Sequence, residues 1–241
     1  MKSRIPQLLG RTAATLTALI IAPASYGSMN DNEVFTYFAA DRFEYQVRDG
    51  DDALVWDAEA WIGTDYNKLW LKAEGADESD AGLESSEIQA LYSRAVAPFW
   101  DLQLGLRHDF HPSPSRSFAA IGAQGEAPYG IEVHAAAFVS EDADLSLRLE
   151  LEYDLLITNR LVAQPRVELD FGFQDVPELG LGSGLTGIEA GLRLRYEIRR
   201  EFAPYIGIDY ERATFDSAGI ARDAGEDVDN FSVVAGLRWW F

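Results

Sequence analysis

Histidine is scarce in this chain, with three copies, so each is a candidate for chemistry. His108, Asp109 and His111 lie close together. Imidazole nitrogen and carboxylate oxygen together make a ligand set for a divalent transition metal. His108 and Asp109 are adjacent, so a regular strand points them to opposite sides. His111 begins a loop with Pro112 and Pro114 and could turn to either side. His134 is the second candidate, with Glu132 on the same face of its strand. The plainer readings are a polar residue at an interface for the first group and a solvated histidine for the second.

Carboxylates recur at alternate positions: Asp57 and Glu59; Glu150, Glu152 and Asp154; Glu168 and Asp170. A ladder of carboxylates around a pore attracts and selects cations. The alternative is that these groups pair with Arg148, Arg166, Arg193 and Arg195 and fill the space they line. Arg222 to Asp229 also alternates carboxylates, but it lacks the length, the glycine position and the final glutamate of a calcium loop. No serine sits in a GxSxG elbow, and Ser93 or Ser117 would meet His108 or His134 only through chance geometry. The chain reads as a protein that is not an enzyme. With no cysteine, disulfides, thiolate metal sites and cysteine nucleophiles are all excluded. A formal charge of -20 argues against nucleic acid as a partner and suits cations or plain solubility.

Strands must position these residues. The last stretch sets Phe231, Val233, Ala235, Leu237, Trp239 and Phe241 against Ser232, Val234, Gly236, Arg238 and Trp240. One face is apolar and ends in aromatics, as in a strand that faces lipid and meets the membrane interface. Leu145, Leu147, Leu149, Leu151, Tyr153 and Leu155 likewise oppose Ser146, Arg148, Glu150, Glu152 and Asp154. In the first strand Phe35, Tyr37, Ala39, Phe43, Tyr45 and Val47 share the apolar parity, with Asp41 as the exception. Twelve such segments follow one another, each about ten residues long, which is what a tilted strand needs to cross a bilayer. Gly75 to about Ser86, His111–Ser115, Gln174–Gly184 and Ala213–Asp229 read as loops on one side, with shorter turns on the other. The fold class is therefore all-β, a transmembrane antiparallel up-and-down barrel of about 12 strands. A soluble lipocalin-like barrel or sandwich shares the alternation; strand length, terminal aromatics and an export signal favour the membrane.

That signal is Lys2, Arg4 and Arg11 before an apolar stretch from Ala13 to Ala22 and the small residues Ala22-Pro23-Ala24-Ser25. The predicted organisation is a signal peptide over 1–24, a short periplasmic segment over 25–33 and the barrel over 34–241. Both termini would then be periplasmic, in the bacterial outer membrane.

Several long phrases resemble the copper resistance protein B family. They are FTYFAADRFEYQVRDGDDALVWDAEAWIGTDYNKLWLKAEG, LYSRAVAPFWDLQLGLRHDF, AAFVSEDADLSLRLELEYDLLITNRLVAQPRVEL, GIEAGLRLRYEIRREFAPYIGI and AGEDVDNFSVVAGLRWWF. The resemblance runs from about Phe35 to Phe241. It implies an outer-membrane protein of copper resistance operons that binds or sequesters copper ions or helps them cross. It also implies outer-membrane lipid around the barrel and a periplasmic copper-resistance partner. Family members commonly carry a Met- and His-rich segment before the barrel; here Ser25 to Val34 holds a single methionine, Met29. The competing functions are a general cation-preferring small channel and a closed structural barrel.

Overall fold

The computed structural model describes residues 33–48, 50–79, 82–225 and 227–241. The predicted signal peptide, and Met29 with most of the segment after it, lie outside the described residues.

Among the described residues thirteen strands follow one another. They are β1 Phe35–Arg48, β2 Ala53–Gly63, β3 Asn67–Glu78, β4 Gly82–Ala97, β5 Trp100–His111, β6 Arg116–Ala127 and β7 Ile131–Ser140. There follow β8 Leu145–Tyr153, β9 Leu155–Leu156, β10 Leu161–Gly172, β11 Gly184–Tyr196, β12 Phe202–Ala213 and β13 Asp229–Trp240. β9 continues β8 beyond Asp154 and pairs with the same neighbour, β10, so twelve staves make the wall. Each stave pairs antiparallel with the next, and β1 pairs with β13 from Ala39↔Trp240 to Arg48↔Ser232. The sheet is thus closed, and no edge is left to pair with another chain.

Burial is inverted relative to a soluble barrel. On β5, Leu104 and Leu106 are 60% and 67% exposed, while Gln103 between its leucine neighbours is 6% exposed. On β1, Phe43, Tyr45 and Val47 face out while Glu44 is fully buried. Apolar side chains cover the outside and charged ones fill the inside, which decides for the lipid-facing barrel over the soluble one. At the end where the chain's described termini meet, the turns carry exposed Tyr66, Phe99 and Tyr129. Such rings suit the interface between hydrocarbon and water.

β1 departs from simple alternation. The register shifts around Asp41 on both sides, against β2 and against β13. The extra residue is a bulge, and it reverses the parity of everything before it. Asp41 points inward and accepts a hydrogen bond from Arg238 Nε at 2.8 Å. Tyr37 also turns inward, where its ring stacks on Trp61 at 5.9 Å between centroids. The single apolar face expected for Phe35, Tyr37 and Ala39 together with Phe43, Tyr45 and Val47 is therefore corrected. Asp41 is the hinge between two faces.

Two of the loops also differ from expectation. Gly75–Ser86 is mostly paired strand, because β3 reaches Glu78 and β4 starts at Gly82. Ala213–Asp229 contains a helix, α1, at Phe215–Ala224, closed by Gly225 at φ 81°. Both extend the wall at the end away from the termini. That long-loop end also carries the Gln174–Gly184 connection with its short 3-10 turn Pro177–Leu179.

Candidate functional site: the charged lumen

The lumen has two unlike halves. Across β3 to β7 it holds an apolar cluster: Trp70, Leu91, Ala120 and Phe138 are buried together, with Trp61 and Phe118 packed on them. The opposite wall, from β8 round to β2, is charged. Asp57, Glu59, Glu150, Glu168, Glu189 and Asp209 each face a guanidinium or an ammonium, because an unpaired charge shut away from water is too costly to keep.

Four arginines organise that wall. Arg166 on β10 donates to Glu150 at 2.7 Å and to Glu189 at 2.5 Å, makes a very short contact with Glu168, and has Glu152 at 3.4 Å. Arg193 on β11 donates to both oxygens of Glu44 at 2.8 and 2.9 Å and to Asp209 at 2.9 Å. Glu44 also accepts from the Tyr205 hydroxyl at 2.9 Å. Arg195 donates to Asp154 at 2.6 Å. Arg148 on β8 faces Glu168 and Asp170 on the neighbouring β10 at 3.2 and 3.4 Å. It also crosses the lumen to Glu74 on β3 and Glu87 on β4, at 3.2 and 3.1 Å.

The alternating carboxylates meet cations inside the barrel. Asp57 faces Arg42 at 3.6 Å, and Glu59 faces Lys72 at 3.9 Å. Glu150, Glu152, Asp154, Glu168 and Asp170 are held by the arginines just described. At the long-loop end the lumen widens into a vestibule of about 310 Å3. Nine carboxylates line it against four arginines, so its net charge is negative. Glu84, Asp109, Asp209 and Glu211 are among them.

The histidines are not gathered. His108 sits on the outer face, where its Nδ1 is 3.0 Å from Ser117 Oγ and its ring meets Phe110 edge-on at 4.6 Å. This pair follows from cross-strand register, His108↔Ser117. It faces lipid, away from the lumen's charged groups. Asp109 faces the lumen and takes both a 2.6 Å and a 2.9 Å hydrogen bond from Arg107. His111 also lines the vestibule, with its Nδ1 buried and without a hydrogen-bond partner. His134 lies deeper, opposite Glu150 and Gln124 in register, and lines a smaller cavity of about 50 Å3. Glu132 stands opposite Glu126 on one side and Glu152 on the other. Among the described residues no group of three or more His, Asp or Glu side chains is arranged to hold a metal ion.

Sequence reading missed Arg42, Glu44, Glu74, Glu87 and Arg107 as members of the network. Their lumen parity was the available signal. What alternation along one strand cannot show is which residue of the far wall each one meets.

The family model described as copper resistance protein B precursor (CopB) matches residues 34–241. The chain belongs to the copper resistance protein B family. It is 42% identical over 224 residues to a "Copper resistance protein B homolog" of Pseudomonas syringae pv. tomato, covering 93% of this chain and 76% of that one. It is also 42% identical over 214 residues to "Copper resistance protein B" of Escherichia coli, covering 89% of this chain and 72% of that one. The chain is similar in fold to the solved NanC porin. The TM-score is 0.58 at 12% identity, over 84% of this chain and 98% of the porin. Fold, family and inverted burial together place it in the outer membrane with a role in copper resistance. The family is not a family of enzymes.

Proposed function

We propose that this barrel handles copper ions as cargo at the mouth and within the lumen, rather than holding a resident metal. The observation that carries this reading is the negative vestibule, with nine carboxylates against four arginines and the unpartnered His111 at its edge. Carboxylate and imidazole suit Cu(II), and a net negative funnel raises the local concentration of any cation. His111 and Asp109 are the first contacts in this reading, and His134 with Glu132 the deeper ones. Met29, in the segment before the barrel, adds a thioether and is proposed as a Cu(I) contact. Residues 1–24 act as the export leader, both termini are periplasmic, and the vestibule opens to the outside. A periplasmic copper-resistance protein is the natural partner for whatever passes.

The arginine network supports a second reading, a closed barrel that resists copper by another route. Titration of copper onto the mature barrel refolded in detergent separates the two, with zinc as competitor. Saturable binding that weakens in His111→Ala supports the cargo reading. A barrel that takes up no copper, in a strain whose copper sensitivity on gene loss is rescued by it, would sink the barrel-borne contacts and leave the second reading.

A further inference from the structure

The lumen is divided. The vestibule at the long-loop end and the smaller inner cavity against β3 to β7 are separate spaces. Two residues belong to the linings of both, Glu74 and Arg148. Arg148 is rooted on β8, and its guanidinium reaches the far wall at Glu74 and Glu87. Among the described residues no other stretch of backbone runs through this point, because the wall is made of strands and the loops lie at the ends. The guanidinium is also within 6.0 Å of the Phe138 ring, which closes the apolar side of the gap.

We propose that Arg148 is the gate of the lumen. Its side chain, with Glu74 at its far end, stands between the vestibule and the inner cavity. Its stem is long and unbranched, so a rotamer change can withdraw the guanidinium without moving the wall. Behind it stand Glu74, Glu87, Glu168 and Asp170, which the arginine neutralises while it is in place. Once it leaves, these carboxylates face a joined passage, and a passage lined that way admits cations. The inference goes beyond the copper reading. It concerns whether and for what sign of ion the lumen opens, and its test contains no copper.

The test is single-channel conductance in planar bilayers with potassium chloride, on barrels first shown to be assembled by heat-modifiable migration in gels. Wild-type and Arg148→Lys barrels stay near baseline, since lysine keeps the cation and most of the reach. Arg148→Ala raises conductance several-fold, and a salt gradient gives a reversal potential of cation sign. Arg195→Gln makes the same charge change at a residue lining neither cavity and stays at the wild-type level. Should Arg148→Ala fail to assemble, Arg148→Ala with Glu74→Gln removes a carboxylate along with its cation and is read the same way. Conductance unchanged by loss of Arg148, an equal rise in Arg195→Gln, or anion selectivity in the opened barrel would each overturn the proposal.

Discussion

Glu44 has no exposed surface and holds three groups at once: the Arg193 guanidinium, the Tyr205 hydroxyl and the Gln46 amide. Arg193 is 3% exposed, with Glu44 and Asp209 as its carboxylate partners. Glu44→Ala leaves that guanidinium short of a counter-charge in a closed space, which costs about 3–5 kcal/mol when one partner of a buried pair is deleted. Glu44→Gln costs less, because it still accepts from Tyr205. Urea unfolding of the barrel from lipid vesicles reads both. The histidines give a second prediction at this scale. His108→Ala leaves copper binding unchanged, since that ring faces lipid beside Phe110. His111→Ala weakens it, and calorimetric titration of the two variants side by side shows the difference.

At the scale of one strand, β5 carries the outer-face leucines and β1 carries the bulge. Leu104 lies near the middle of β5 on the lipid side. Leu104→Arg buries a charge in hydrocarbon at a cost of about 2–4 kcal/mol near the midplane. Gln103→Arg, one residue away, points into the lumen and escapes that lipid penalty. Comparing their unfolding midpoints checks the assignment of faces. Deleting Asp41 removes the bulge and returns β1 to strict alternation. Tyr37 and Ala39 then keep the lumen parity of Arg42 and Glu44, so the Tyr37–Trp61 stack survives and the loss is the Asp41–Arg238 hydrogen bond. That variant therefore still assembles, and the fraction showing heat-modifiable migration checks it.

At the scale of the whole molecule, the two ends are unlike. One bears short turns with exposed aromatics; the other bears α1, the 3-10 turn and the acidic vestibule. An outward-facing vestibule puts α1 at the cell surface. A protease site inserted after Gly219 is then cut in intact cells, whereas one in the Thr64–Tyr66 turn is cut only after the outer membrane is opened. The reverse pattern would invert the proposed orientation.

Alternation in the sequence, together with near-uniform segment lengths, determined the all-β class, and inverted burial decided for lipid over water outside it. The reason is physical: each strand faces two solvents, and a period of two records both. The outer face was legible in Leu102, Leu104 and Leu106, and the lumen in Glu150 and Glu152. Tertiary structure alone decided the rest. It placed a bulge at Asp41, whose signal in the sequence was one carboxylate on an apolar face. It separated His108 from His111, which the sequence sets three residues apart. It brought Arg148 to Glu74 and Glu87, 74 and 61 residues away. Partners across a lumen are fixed by how the sheet closes, and closure is a property of the whole set of strands rather than of any one of them.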